Sequence, residues 1–182
     1  MNKFYSRYFG KRKTGKIKRS GRGQAMLEFA LTLILLLVVV LGLLEVGRLL
    51  FVYAAVVTSA REAARYASVA GRNDSGNLYF QDCNGIRNAA SRVTFFQNVQ
   101  NSDILIYYNV NGNNDGDGNP IFTQYCTPGS SVDSSVTLDT NDRVRVDVGT
   151  TFNTIVEFLP LEDGIQIDSS ASRSILGIIE IE

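Results

Sequence analysis

Histidine is absent from this chain of 182 residues, and no lysine occurs after Lys18. The first absence excludes His-based catalytic triads and His-ligated zinc sites. Only two cysteines occur, Cys83 and Cys126, and their spacing is unlike a C-x-x-C pair. No P-loop, G-x-G-x-x-G or G-x-S-x-G pattern is present. Acid pairs such as Glu162-Asp163 read as solvated turn residues rather than an acid–base dyad. The expectation from these absences is a protein that is not an enzyme. One more lack is local: from Phe29 to Leu44 there is no charged residue at all.

What is present is a chain of two unlike halves. The formal net charge is zero, but the basic residues crowd into one end. Every lysine and four arginines precede Gly23, with no acid among them. From Gln24 onward there are a few arginines and all 18 acidic residues. The charge-free core from Phe29 to Leu44 would rise roughly 24 Å as a helix, somewhat short of a hydrocarbon layer of about 30 Å. Counting from Gln24 to Val46 gives enough length to cross. A basic flank before one apolar helix places that end in the cytoplasm and the C-terminus across the membrane. The same topology accounts for the basic leader without nucleic acid, the other reading of such a charge block. A cleaved secretory signal fits less well, because the apolar core is long and no A-x-A-like site follows it.

Crossing draws Glu28 to the membrane edge or just inside it. A carboxylate at the worst depth costs about 2.5–3.5 kcal/mol on insertion scales, which makes it a functional candidate. Beyond the span the helical pattern continues through Leu49, Tyr53, Val56, Ala60, Ala63, Ala64 and Ala67. No proline or asparagine interrupts it before Asn73, and Gly71 offers a C-cap. The expected helix therefore runs from about Gln24 to Ala70. Its alanines make a smooth seam. That seam could take a helix of another molecule or the chain's own globular domain. Glu62 and Arg65, at i,i+3, sit on the polar side.

The residues Gly23-Gln24-Ala25-Met26-Leu27-Glu28-Phe29 read as G-x-x-x-x-E-F. This resembles the processing pattern of Tad (Flp-type) pilus pseudopilins. The run from Arg22 through Arg48, the stretch GLLEVGRLLFVYAAV that overlaps its end, and the segment Thr58–Ala67 resemble the TadE-like family. A weaker likeness returns over Arg143–Arg173. Many relatives carry a proline in the early membrane helix where this chain has Ile34, which predicts a straighter helix here. The resemblance implies cleavage by a prepilin peptidase between Gly23 and Gln24, on the cytoplasmic side. The partners it implies are that peptidase, other Tad pilins or pseudopilins, the inner-membrane assembly platform and the lipid bilayer. Glycine offers an unhindered backbone to such a protease. The cut would leave a new amine at Gln24, with Glu28 about 6 Å further along the helix axis. A sister subunit shifted by a similar distance could bring its amine to Glu28. The competing reading is an acid favourably placed near the positive end of its own helix.

From Arg72 the composition shifts to asparagine, aspartate, serine and glycine, over a length near the usual domain size. The division expected is a basic cytoplasmic leader over 1–23, a transmembrane and extended amphipathic helix over 24–70, and an extracytoplasmic α+β domain over 71–182. Asn84–Gln97 has helical spacing, and Asp103–Val110 is rich in strand formers. Ile121–Tyr125 reads as a second strand, and Ser135–Leu138 is an ambiguous short one. Asp142–Gly149 alternates, with Val144, Val146 and Val148 on one face. Thr151–Leu161 reads as a short helix or as a strand entering a turn, ended by Pro160. Ile165–Ile181 reads as one or two strands, interrupted near Gly177. The fold class is α+β, a long N-terminal transmembrane helix continuing into a pilin-like domain with an antiparallel sheet.

Both cysteines fall outside the cytoplasm on this topology, where disulfides persist, so one Cys83–Cys126 bridge is favoured over two free thiols. The stretch Asn113-x-Asp115-x-Asp117-Gly118 matches the front of a calcium loop. Its twelfth position is Gln124, which cannot supply a bidentate carboxylate. A flexible Asn/Gly turn is therefore favoured, with calcium the one cofactor left open. The function expected is a minor pilin or pseudopilin of a Tad pilus or secretion system. The alternative is a permanently anchored extracytoplasmic binding or scaffold protein that is not processed.

Overall fold

The computed structural model describes residues 21–94, 99–135, 137–139, 142–155 and 164–175. By contact the chain divides into two units, Met1–Leu41 and Gly42–Glu182. Helix α1 spans Gly21–Ala67. It begins three residues before the expected start and ends three before the expected end, so Gly71 is not its immediate cap. Gly71 lies in the loop that follows, at φ 108°. In the first unit α1 is apolar all round, and Met26, Phe29 and the leucines, valines and isoleucine beyond are all exposed. A helix with that pattern belongs in a large core or a membrane. Its 18-residue window of mean hydropathy 2.9 has none of its residues buried, and no other helix among the described residues is as long and apolar.

In the second unit α1 changes character. Val52, Val56, Ala60, Ala63, Ala64 and Ala67 are buried, and they share one core with a four-stranded sheet. The alanine seam thus packs on the chain's own domain, the plainer of the two readings of the sequence. Small residues there let the helix backbone approach closely. Tyr53, expected in the seam, is exposed, and Val52 takes its place. Both residues fit the 3.6-residue period from Val56, so the pattern alone did not separate them.

The sheet is antiparallel throughout, in the order β2-β1-β3-β4. Strand β1 is Ile104–Asn109, β2 Thr123–Gln124, β3 Arg143–Phe152 and β4 Ile165–Ser174. The alternation of β3 continues past Gly149, with Val144, Val146, Val148, Thr150 and Phe152 all buried. Strand β2 is shorter than the expected Ile121–Tyr125. Thr123 and Gln124 pair with β1, and the Tyr125 N–H also donates to the Ile106 carbonyl at 3.3 Å, while the Ile121 carbonyl accepts from the Asn109 side chain at 2.8 Å. No strand forms at the described residues of 135–138. Helix α2, Cys83–Ser91, realises the start of the expected Asn84–Gln97 helix. Residues 95–98, Pro160, Glu162-Asp163, Gly177 and most of the basic leader lie outside the described residues.

The two short helical sides of the domain are tied to α1 by polar bonds. Ser59 donates to the Ala90 carbonyl of α2 at 2.8 Å. Asp82 caps α2 by accepting from the Gly85 N–H at 2.8 Å, as a short polar N-cap should. The same carboxylate accepts from the Tyr66 hydroxyl at 2.7 Å and from the Asn73 side chain at 2.8 Å. A Cβ at Gly85 would stand 2.2 Å from the Asp82 carboxylate and 2.3 Å from the Tyr66 hydroxyl, so a side chain there would have to displace that hydrogen-bonded pair.

Candidate functional site

The N-terminal candidates lie on the first turns of α1. Gly23, Gln24, Glu28 and Phe29 are all exposed there. A Cβ at Gly23 would meet nothing within 4 Å. The Gln24 side-chain amide donates to a Glu28 carboxylate oxygen at 3.1 Å, one helical turn along. Thr32 donates to the Glu28 carbonyl at 2.8 Å. The i,i+4 spacing is thus already used by the pair that a cut after Gly23 would turn into a terminal residue and its acid. Within this unit the apolar surface around Glu28 stays open, with Leu27 and Leu31 both more than half exposed.

A second constellation holds the first strongly polar level of α1 after its charge-free run. Glu45 accepts from the Ile155 N–H at 2.7 Å. Arg48 donates to Glu45 at 3.3 Å and to the Asn153 carbonyl, and its guanidinium lies 4.1 Å from the centre of the Phe152 ring. The cation–π contact and the charge-assisted bonds clamp the segment after β3 onto the helix. In the sequence Glu45 is simply the residue that ends the charge-free run. The i,i+3 spacing of Glu45 and Arg48 was visible, but their partners lie about a hundred residues downstream, and no local signal joins them.

Cys83 and Cys126 form a disulfide, with Cα atoms 5.5 Å apart. Beside it Arg87 is buried, donating to the carbonyls of Cys126 at 2.6 Å, Thr127 at 2.9 Å and Ser130 at 2.9 Å. Burial pulls its pKa below the usual arginine value. Tyr108 donates to the Phe80 carbonyl at 2.5 Å, and burial pushes its hydroxyl well above the usual tyrosine range. These bonds hold the loop after β2 and the Phe80 backbone beside the disulfide.

The Asn113–Asp117 loop closes on its own acid. Asp115 accepts from the Asn119 N–H at 2.7 Å, the Asp117 N–H at 3.0 Å and the Asn119 side chain at 3.1 Å. These donors, Asn119 first, hold its carboxyl below the usual carboxylate range. The Asn113 carbonyl accepts from Ile121 and from the Asn109 side chain. The Asp115 carboxylate is thus engaged in making the turn. Among the described residues no three His, Cys, Asp or Glu side chains gather as a metal group.

What these residues define is an apolar anchor helix carrying an α+β domain, the layout of a pilin-like subunit. A family model described as TadE-like protein matches residues 23–65, so the chain carries a TadE-like family domain over that part of its length. No curated protein and no solved structure matches it.

Proposed function

We propose that the chain is a minor pilin or pseudopilin of a Tad (Flp-type IV) pilus assembly or secretion system. In this reading a prepilin peptidase cuts after Gly23, the helix crosses the inner membrane once, and the α+β domain faces outward. The subunit is not a catalyst. The helix assembles with other Tad pilins and the inner-membrane platform, and Glu28 takes the new amine of a neighbour. The observation that carries the reading is a family match that starts beside the proposed cut and runs along an exposed apolar helix. The TadE-like match begins at Gly23, the residue before the proposed cut, and the wholly exposed apolar helix follows directly. Gly23 lies inside α1, so its turn has to open for a protease to bind it.

The test is the mature N-terminus, sequenced from membranes and from sheared filaments separately. Gln24 as first residue is expected. Met1 in both fractions would overturn the reading in favour of a permanently anchored protein. Glu28→Gln then divides the proposal further. Cleavage should persist while incorporation into filaments falls, and normal incorporation would remove the Glu28–amine pairing.

A further inference from the structure

The clamp at Glu45 and Arg48 leaves one of its residues in a place the fold does not explain. Ile155 is pinned by its backbone to Glu45, yet 74% of the residue is exposed. The same unit opens with three more exposed apolar side chains on α1: Leu43, Leu44 and Val46. They mark one level of α1, the apolar foot where the charge-free run ends. The polar groups at that level face one another. The Glu45 carboxylate and Arg48 guanidinium are a pair at 3.3 Å, so the clamp brings no net charge to the foot.

We infer that this foot is a membrane-seating surface, at which Ile155 enters the boundary between lipid headgroups and acyl chains beside the spanning helix. The inference rests on the reading of α1 as a membrane span. Lipid is the occupant because the foot continues, on the same helix, the exposed apolar surface that the span presents. Exposed apolar side chains next to a span gain free energy from the interface without any partner protein, and interfacial segments bury their apolar face roughly 5–10 Å into it. Glu45 and Arg48 are positioning residues here. They fix the height on α1 at which residues 153–155 meet the bilayer.

The chain has no tryptophan, so one indole reports one position. Ile155→Trp, in the full chain reconstituted into phosphatidylcholine vesicles, should be quenched by lipids labelled near the headgroup. It should be shielded from aqueous iodide by at least about twofold relative to Asn114→Trp, because an indole prefers the interface. Leu36→Trp serves as the span reference and should be quenched by lipids labelled deep in the chain. Should Leu36→Trp escape the deep label, the membrane-span reading itself fails. If it is quenched while Ile155→Trp responds to iodide as freely as Asn114→Trp, the seating surface alone is overturned. Iodide shielding that grows with protein-to-lipid ratio and comes without lipid quenching would assign the foot to a second copy of the chain and equally overturn the proposal. Adding Glu45→Ala to Ile155→Trp should release the segment and weaken the lipid quenching. Unchanged quenching there would remove the positioning role.

Discussion

The two stretches of α1 obey different rules although both are helical. Between Phe29 and Leu44 large aliphatic side chains point in every direction and all are exposed. From Val52 to Ala67 one face is small and fully packed, and the opposite face carries Arg61, Glu62 and Arg65. The first stretch leaves its whole perimeter for a surrounding apolar medium. The second commits one face to the sheet and hands the other to water. A single helix can therefore serve as anchor and as core element, provided side-chain size and charge change along it. The change falls at Gly42–Arg48, where glycines and a charged pair replace the aliphatic run.

That contrast can be broken experimentally, and the largest effect should come from the domain side. Replacing Cys83 and Cys126 together by serine should cost about 4 kcal/mol by loop entropy, since the bridge spans a sequence separation of 43. Denaturant unfolding of the full chain in detergent, followed by tyrosine circular dichroism, would show it, while helix content and membrane retention stay unchanged. Next comes a matched pair of substitutions within α1. Ala64→Leu overfills a site with no exposure and should destabilise by about 1–3 kcal/mol. Leu36→Ala should leave the same unfolding transition where it is. Equal shifts in the two variants would mean that the halves of α1 are not distinct in the way their burial implies.

The smallest effect concerns pH. Burial, followed by the hydrogen bond to Asp82, raises the Tyr66 hydroxyl to about 12. The unfolded chain releases that proton near pH 10, so it binds fewer protons than the folded chain between the two values. Stability from this group is complete below pH 10 and falls as pH rises towards 12. Tyr66→Phe should cost about 0.5–1.5 kcal/mol at neutral pH for the lost bond and should flatten part of the alkaline decline. An identical alkaline slope in both proteins would separate Tyr66 from that decline.

Much of this architecture was legible because it is periodic. The valines of β3 announce their buried face two residues apart, and the structure extends that face to Thr150 and Phe152. Gly149 masked the extension in the sequence, since it interrupts a run of strand formers. The apolar anchor and the alanine seam were plain from side-chain size, although the seam's partner was not. The Glu45–Ile155 and Tyr66–Asp82 bonds could not be read, because each joins residues far apart in sequence whose types are ordinary. The order of strands was hidden for the same reason. Asp82 did carry a local sign, a short acid directly before a helix with glycine three residues on, and it went unread.

Arg87 and the disulfide hold the same piece of chain from the same short helix. Cys83 opens α2, Arg87 lies one turn further on, and the guanidinium grips the carbonyls of Cys126 and Thr127. Those contacts hold Cys126 beside α2 through its backbone as well as through its sulfur. The loop after β2 is thus fastened twice, once by a covalent bond and once by hydrogen bonds.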